Sequence, residues 1–218
     1  MGKAKAGGGR GASLEPETKD RLLEVAIDLF ATRGYVGTSI RDIAGAMGMS
    51  ISNIYHYYGS KEGILLAIFE QSAVRLLENL EQVAGLRIDP LERFELLLRT
   101  NLTLSGRFQN ETKVYTIDKE QFPLEAQEQT RLVQRKILRI YVDQLEALDE
   151  AGLLAAGDVT ILAFNILGVI NWFLRWYRDG NRFTFENVAD EIVPFILRGA
   201  LKPEVSERLQ AGRPEATS

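Results

Sequence analysis

Residues Thr38 to Glu62 read TSIRDIAGAMGMSISNIYHYYGSKE, and this segment contains the clearest structural pattern in the chain. Apolar residues recur at helical spacing within residues 39–47, which predicts a short amphipathic helix there. Gly48 interrupts the pattern, and Ser50 is placed to cap a second short helix over residues 51–57. Two short helices joined by such a turn are the plan of a helix-turn-helix, whose second helix enters the DNA major groove.

The predicted second helix has one clear inward anchor, Ile54. Most of its other positions hold polar or aromatic residues. A generic helical hairpin inside a hydrophobic core is the alternative, but it would not need so many polar and aromatic side chains on one short helix. The pattern therefore favours a helix that contacts DNA.

The segments Gly34 to Ala44 (GYVGTSIRDIA), Ser50, Ile54 to Tyr58 (IYHYY) and Ser60 to Glu62 (SKE) resemble the N-terminal domain of TetR-type bacterial transcriptional regulators. The resemblance extends over residues 17–65. It implies a three-helix DNA-binding domain and a role in transcription regulation.

Carried over position by position, the resemblance implies DNA contacts from Thr38, Ser39, Arg41, Ser50, Ile51, Ser52, Asn53, Tyr55, His56 and Lys61. It assigns phosphate contacts at the flanking helix starts to Thr38, Ser39 and Lys61. Tyr55 and His56 would contact backbone phosphates or base methyl groups, while Ser52 and Asn53 would lie nearest the bases, where an Asn amide suits adenine. Ile51 departs from the family pattern, because Lys, Arg or a small polar residue is frequent there. Its apolar group could instead touch a thymine methyl group.

The net charge of −4 is distributed unevenly. Residues 1–62 hold eight Lys or Arg and seven Asp or Glu, a net charge of +1, so the remainder carries −5. This modest positive bias at the candidate DNA-binding end is consistent with a few phosphate contacts per subunit.

The absence of Cys excludes disulfides and is compatible with a reducing compartment, here the cytoplasm.

We expect an all-α protein of about nine helices, because no alternating strand pattern occurs. The expected domains are an N-terminal three-helix bundle with the helix-turn-helix at residues 15–62 and a larger helical domain for ligand binding and dimerisation at residues 63–202. Residues 1–14 are expected to form a disordered basic arm, which either is a plain terminus or touches DNA. Residues 203–218 are expected to form a flexible polar tail.

Residues 158–178 predict a helix that is apolar nearly all round. A membrane span is disfavoured, because a charged residue at the centre of a span costs about 2.5–3.5 kcal/mol and no second span exists. A helix that is apolar on every side is otherwise buried on every side. We therefore expect this helix and the helix at residues 185–201 to pair two subunits in a homodimer. Such a dimer would bind a palindromic site in double-stranded DNA.

The segment Asn171 to Arg178 (NWFLRWYR), followed by Phe183 to Phe185 (FTF), resembles the C-terminal domain of TetR-type regulators that sense acyl-CoA thioesters. This implies a small apolar effector, with an acyl-CoA as one class. The candidate ligand residues are Phe94, Asn101, Phe108, Tyr115, Asn165, Trp172, Arg175 and Arg178. The alternative is that these aromatic residues only fill the core and the interface.

The sequence thus predicts a ligand-responsive transcriptional repressor with no cofactor. One alternative is a DNA-binding protein that has no inducer. A third class, an enzyme of acyl-CoA metabolism, is disfavoured because His56 is the single His and no Cys is present. A metal site or a nucleophile–base pair would need more groups of this kind. No catalytic or metal-binding residue is therefore expected.

Overall fold

The computed structural model describes residues 14–117, 122–177 and 182–211, and these residues are mostly helical. The helices in chain order are α1 (Leu14–Arg33), α2 (Ile40–Met47), α3 (Ile51–Tyr58), α4 (Lys61–Phe69), α5 (Arg75–Ala84), α6 (Pro90–Arg107), α7 (Gln109–Ile117), α8 (Leu124–Glu150), α9 (Val159–Trp176), α10 (Phe185–Ala200) and α11 (Pro203–Ala211). A π-helical turn, Glu70–Val74, joins α4 and α5 into one continuous helix. Extended pairing in the described residues is limited to one bridge between Leu154 and Leu201. The predicted all-α fold is confirmed.

Helices α1, α2 and α3 pack as the three-helix unit that the sequence predicts. Their shared core contains Leu22, Ala26 and Phe30 of α1 together with Ile43 of α2 and Ile54 of α3. Burying one Ile side chain contributes roughly 1.5–3 kcal/mol. An isolated helix as short as α3 is not stable in water. Its position therefore depends on packing through Ile54.

The turn between α2 and α3 is held by helix caps at both sides. At the start of α2, the Asp42 N–H donates to Ser39 Oγ over 3.2 Å, and the Ser39 N–H donates to the Asp42 carboxylate over 2.7 Å. Gly48 ends α2 with φ of 63°, a left-handed conformation that favours glycine. Ser50 Oγ accepts the Asn53 N–H over 3.3 Å and caps α3. Local hydrogen bonds thus set the angle at which α3 leaves the turn.

The core of the three-helix unit continues into the rest of the chain. Ile64 of α4 is buried in it, and so are Val114, Phe122 and Ala126 from the region of α7 and α8. The ring of Phe122 contacts the ring of Tyr35 edge-on, with centroids 5.4 Å apart. The boundary predicted between the two domains therefore falls within a continuous core.

The larger domain packs α5, α6, α8, α9 and α10 around a second core. At its centre the rings of Phe94 and Tyr141 meet edge-to-face, with centroids 6.4 Å apart. Helix α9 contributes Ile166, Ile170 and Phe173 from one face. Its opposite face is not covered within the subunit, so α9 is not buried on every side by its own domain.

Residues 203–211 form α11, where the sequence predicted the beginning of a flexible tail. Pro203 stands at the first helical position, where its missing N–H removes no helical hydrogen bond. Val205 and Leu209, spaced one helical turn apart, pack against the core of the larger domain. The rest of the predicted tail lies outside the described residues, as does the predicted N-terminal arm except for Leu14, which begins α1.

Gly106 of α6 packs directly against the ring of Phe185, and a Cβ atom at position 106 would overlap that ring. The ring is confined by Phe173 and Tyr177, whose centroids lie 5.9 Å and 6.2 Å from its own. We expect Gly106→Ala to lower the free energy of unfolding by about 1–3 kcal/mol, because the packed ring has little space to move. Urea denaturation measures this change.

Gly45→Ala in α2 is the matched control, because a Cβ atom at position 45 meets nothing within 4 Å. Replacing Gly by Ala inside a helix is favourable by roughly 0.8–1 kcal/mol when there is space. If both substitutions changed stability in the same direction, the steric explanation for Gly106 would be incorrect.

Candidate nucleic-acid interface and ligand cavity

Helix α3 buries one side chain and presents the others to solvent. Ile54 is fully buried, whereas Ile51 and Tyr55 keep 38% and 50% of their surface exposed. The other predicted DNA-contacting residues of this segment are also exposed, namely Ser50, Ser52, Asn53 and His56. The structure thus collects these predicted residues on one short, outward-facing helix and its cap.

Tyr58 fastens the end of α3 to α1. Its hydroxyl donates to the main-chain oxygen of Lys19 over 3.0 Å, and Lys19 Nζ lies 5.4 Å from the centroid of its ring. Burial, followed by the negative charge of Asp20, raises the pKa of Tyr58 to about 12. The phenol therefore remains a hydrogen-bond donor at neutral pH and holds α3 in place.

Two of the predicted phosphate ligands use their hydroxyls within the protein. Thr38 is 1% exposed, and its Oγ1 donates to the carbonyl oxygens of Gly34 over 2.9 Å and Leu29 over 3.2 Å. Ser39 is exposed, but its Oγ donates to the Asp42 carboxylate over 2.5 Å. This hydrogen bond is the main reason that the pKa of Asp42 is held below its usual range. The structure therefore gives the Thr38 side chain a role in the turn before α2 instead of the predicted phosphate contact.

Two predicted cationic contacts differ in their surroundings. Arg41 is exposed on α2, whereas Lys61 is half-buried at the start of α4. Lys61 Nζ lies 4.1 Å from the ring centroid of Tyr35, and burial lowers the pKa of Lys61. The Tyr35 hydroxyl donates to Glu62 Oε1 over 3.4 Å. Burial and then the charge of Glu62 raise the pKa of Tyr35 to about 12. The cation of Lys61 is thus held over an aromatic ring beside α3.

Tyr35 was not among the residues predicted for the site, although it joins the two domains. Its ring contacts Phe30 and Phe122 edge-on, with centroid distances of 5.3 Å and 5.4 Å. The sequence did contain a signal, since Tyr35 follows Gly34 in the segment that resembles a known domain. Its partner Phe122 lies far along the chain, and helical periodicity cannot pair such distant residues.

A cavity of about 130 Å³ lies in the larger domain beside the π-helical turn. None of its lining residues carries a charge. The apolar lining consists of Phe69, Ala73, Leu76, Leu104, Phe108, Val133 and Ile137, and the polar lining of Ser72, Ser105, Thr130, Gln134 and Asn171. A cavity of similar volume in another protein holds benzene, so this one fits a group of about that size. Within the described ranges, no three His, Cys, Asp or Glu side chains are grouped to hold a metal ion.

One of the predicted ligand residues lines this cavity, and two others lie in the core of the same domain. Phe108 lines it. Phe94 and Asn101 are buried deeper, where Asn101 Nδ2 donates to the Tyr141 hydroxyl over 2.8 Å. Burial raises the pKa of Tyr141 above its ordinary value. Asn101 is connected to the cavity through Ser105, whose Oγ donates to Asn101 Oδ1 over 3.0 Å.

The other predicted ligand residues do not line the cavity. Asn165, Trp172 and Arg175 lie on the exposed face of α9, and Trp172 is 64% exposed. Asn165 and Trp172, which the sequence predicted as ligand residues, therefore lie outside this cavity, because the buried stripe of α9 occupies the opposite face. The side chain of Tyr115 and the whole of Arg178 lie outside the described residues.

Sequence reasoning missed the polar residues of the cavity. Ser72, Thr130 and Gln134 are single small or neutral residues on otherwise ordinary helices, and no spacing connects one helix with another. Asn171 belongs to the segment that resembles acyl-CoA sensors but was not selected as a ligand residue. Only the packing of the π-helical turn, α6, α8 and α9 brings the polar side chains of the cavity together.

Two family profiles match the chain. The profile described as bacterial regulatory proteins of the tetR family matches residues 22–68, and that described as the tetracyclin repressor-like C-terminal domain matches residues 87–200. The second match alone covers more than half of the chain. Together they extend over both the helix-turn-helix and the larger domain.

One similar protein of nearly the same length is described as a transcriptional repressor, and solved structures of further proteins have a similar fold. The chain is 27% identical to the HTH-type transcriptional repressor KstR2 of Rhodococcus jostii (strain RHA1), over 85% of this chain and 92% of that protein. Its fold is similar to the ketosteroid transcriptional regulator KstR2 of Mycobacterium tuberculosis, with a TM-score of 0.77 and 24% identity over 90% of this chain and 98% of that one. The structure of AibR in complex with isovaleryl coenzyme A and operator DNA gives a TM-score of 0.72 and 28% identity, over 82% of this chain and 97% of that one.

The raised pKa of Tyr35 predicts how the stability of the folded protein depends on pH. The phenol titrates near 10 in the unfolded chain and at about 12 in the folded protein. The native state therefore keeps this proton to higher pH, so the stability contributed by Tyr35 is complete below about pH 10 and is lost as pH rises toward about 12. We expect Tyr35→Phe to lose less stability than the unchanged protein across this interval. Urea midpoints measured at successive pH values test this, and parallel curves for the two proteins would contradict it.

Proposed function

We propose, from the premise that this chain belongs to the tetR family of bacterial regulatory proteins, that it represses transcription as a homodimer on a palindromic operator and is released by a small apolar effector. The family identifies it as a DNA-binding transcriptional regulator and not as an enzyme. The dimer, the operator and the effector are the proposed parts. Because such a regulator acts on the chromosome, we also propose that it works in the cytoplasm.

The observation that carries the proposal is the exposed surface of α3. A helix anchored by one buried residue, Ile54, leaves its other side chains free to enter a DNA groove. Ser52 and Asn53 follow the helix start, and an Asn amide can bond both N6 and N7 of adenine. Tyr55 and His56 lie further along the helix, where they would contact phosphates.

The surroundings of Arg41, Lys61 and Ile51 support further DNA contacts at and beside the start of α3. Arg41 is exposed on α2 and can reach a phosphate or a base. Lys61 is held over the Tyr35 ring and would place a cation beside the DNA backbone. Ile51 is 38% exposed and can contact a thymine methyl group. Few cations are involved, so we expect a moderate dependence of operator affinity on salt.

The proposed dimer is supported by the uncovered face of α9. Within the described residues, Val159–Trp176 is the one helix whose length and composition would allow it to cross a membrane, which is weak evidence for a span, and 28% of it is buried within the subunit. Its exposed residues include Phe164 at 58% and Trp172 at 64%, and α10 adds Phe195 at 61%. A second copy of the chain would cover this apolar surface.

Dimerisation would also increase the number of base pairs that the protein recognises. Helix α3 spans only eight residues, and a helix of this length reads few base pairs. Two copies related by a two-fold axis double the site and require a palindromic operator. The half-sites would then lie about one helical turn of DNA apart.

Release by an effector is supported by the position of the cavity. The helix that begins at Lys61, next to α3, continues through the π-helical turn, and Phe69, Ser72 and Leu76 of this helix line the cavity. A ligand that changes the packing there can shift the start of α4 and hence the spacing of the two α3 helices. It must bind the form that does not bind DNA more tightly, because equal affinity for both forms would change nothing.

The effector class is supported by the uncharged lining of the cavity. An apolar acyl group would bury its surface against such residues as Leu104 and Ile137. The volume of about 130 Å³ suits a short or compact acyl group better than a long chain. A relative with a similar fold was solved with isovaleryl coenzyme A. We therefore propose an acyl-CoA with a compact acyl group as the effector.

A DNA-binding protein without an inducer remains the alternative, and it would give a long footprint with little sequence preference.

DNA binding and dimerisation should be separable by mutation. Asn53→Ala and Tyr55→Ala remove exposed side chains of α3 and keep the backbone cap, so we expect operator affinity to fall at least about tenfold with the dimer intact. Phe195→Asp places a charge on the proposed dimer surface, so we expect monomers and weak operator binding. Electrophoretic mobility shift and sedimentation velocity measure the two properties.

Leu132→Asp is the matched control for the dimer surface, because Leu132 of α8 is 57% exposed and lies outside α9 and α10. We expect it to leave the dimer intact. Dissociation of the dimer by Asn53→Ala, or by Leu132→Asp as strongly as by Phe195→Asp, would contradict this division of roles.

The effector proposal is tested by titrating the operator complex with acyl-CoAs. We expect compact acyl groups to release the DNA and to raise the melting temperature of the free protein, because a ligand that binds the folded state stabilises it. Free coenzyme A is the control for effects of the nucleotide part. If compact and long acyl-CoAs all leave both DNA binding and melting unchanged, the thioester class is excluded.

A further inference from the structure

Three residues with hydroxyl side chains line the cavity, on three different structural elements. Ser72 lies in the π-helical turn, Ser105 on α6 and Thr130 on α8. All three residues are at least 95% buried. A hydroxyl has one proton to donate and two lone pairs that accept. The direction in which each proton points therefore decides what the cavity offers to a ligand.

Two of these protons are committed to main-chain carbonyl oxygens. Ser72 Oγ donates to the oxygen of Ile68 over 2.9 Å, and Thr130 Oγ1 donates to the oxygen of Ala126 over 2.8 Å. A carbonyl oxygen cannot donate, so the direction of both bonds is determined by chemistry. Each hydroxyl then has only lone pairs available for another partner.

The third proton is directed into the core. Ser105 Oγ donates to Asn101 Oδ1 over 3.0 Å, and Asn101 Nδ2 in turn donates to the Tyr141 hydroxyl over 2.8 Å. This chain of hydrogen bonds runs from the cavity wall to a fully buried tyrosine. In this arrangement Ser105, like Ser72 and Thr130, has only lone pairs available for another partner.

We propose that the part of the effector that enters this cavity carries a neutral hydrogen-bond donor, a hydroxyl group, on an otherwise apolar frame. This rests on the proposed function of the cavity as the effector site. Three acceptor oxygens favour a hydrogen-bond donor, while a ligand group that only accepts would lose its hydrogen bonds to water and find no donor at these three buried residues. The other polar residues of the lining, Gln134 and Asn171, do carry amide donors, but both are exposed to solvent. A plain hydrocarbon would leave all three oxygens unused.

The absence of charged residues in the lining also argues against a charged group in the part of the effector that enters the cavity. A carboxylate would place its oxygens against Ser72, Ser105 and Thr130, all of which present lone pairs. An ammonium would lack an acidic side chain among the lining residues, and an unpaired buried charge is costly. A hydroxylated acyl or ring group satisfies the oxygens and adds no charge. Its bond to Ser72 would also act directly on the π-helical turn, and such turns are frequent at functional sites.

Benzyl alcohol and anisole are isomers that test the proposal. Both match the size of the cavity, but only benzyl alcohol donates a hydrogen bond. We expect benzyl alcohol to bind about tenfold more tightly than anisole, because the unmatched ether oxygen loses its water partner. Dissociation constants from titrations followed by protein NMR, with the full-length chain, measure the ratio.

Substitutions that remove the acceptors should remove the preference. In the double variant Ser72→Ala/Thr130→Val, we expect the ratio of the two dissociation constants to approach one, with the affinity for anisole within about twofold of the unchanged protein. The two single variants give the same comparison if the double variant unfolds. Ser206→Ala is the control, because the hydroxyl of Ser206 bonds to the oxygen of Pro203 in α11 and does not line the cavity.

A ratio near one in the unchanged protein, an unaltered ratio in the variants, or no saturable binding of either isomer would each overturn the proposal. These outcomes are distinct from failure of the proposed function. If acyl-CoAs release the operator although both isomers bind alike, regulation stands and the donor requirement fails. If the isomers are discriminated but no effector changes operator binding, the donor requirement stands and regulation by ligand fails.

Discussion

The burial of Ile54 is the contact on which the DNA-binding surface depends. Helix α3 is too short to be stable alone, and it offers this one fully buried side chain to the core formed with α1 and α2. Because one anchor is enough when Ser50 caps the helix and Tyr58 fastens its end, the intervening side chains need not pack. The exposure of Asn53 and Tyr55, which we propose to contact DNA, is therefore a consequence of how little of α3 is buried.

Because so little of α3 is buried, its position depends on the residues that pack around it. Tyr35 packs between Phe30 and Phe122, and Lys61 lies over its ring at the start of α4. The core beneath α3 thus includes residues from the larger domain. A change in the packing of α7 and α8 can reach α3 through these rings, in addition to the path along the continuous helix from the cavity to Lys61. The two domains are best understood as one packed body with two surfaces.

The cavity combines apolar walls with a fixed polarity. Because Ser72 and Thr130 donate their hydroxyl protons to carbonyl oxygens of their own helices, the helix geometry itself determines that each can only accept a hydrogen bond from a further partner. The cavity can therefore favour a ligand that donates a hydrogen bond without any charged residue or loop in its wall. It also places one of the selective groups in the π-helical turn, which is part of the helix that leads to the DNA-binding unit.

The all-α fold, the helix-turn-helix and the polar surface of α3 could be predicted from the sequence, because caps, turn residues and helical spacing act between residues that are close along the chain. The sequence also indicated the apolar character of α9. Only the tertiary structure showed that Thr38 is buried, that Trp172 and Asn165 face outward, that residues 203–211 form a helix, and that Tyr35 meets Phe122. The physical reason is that these features depend on contacts between distant segments. A periodic pattern shows that a helix has a buried face, but the packing of the other helices decides which residues that face contains and what it meets.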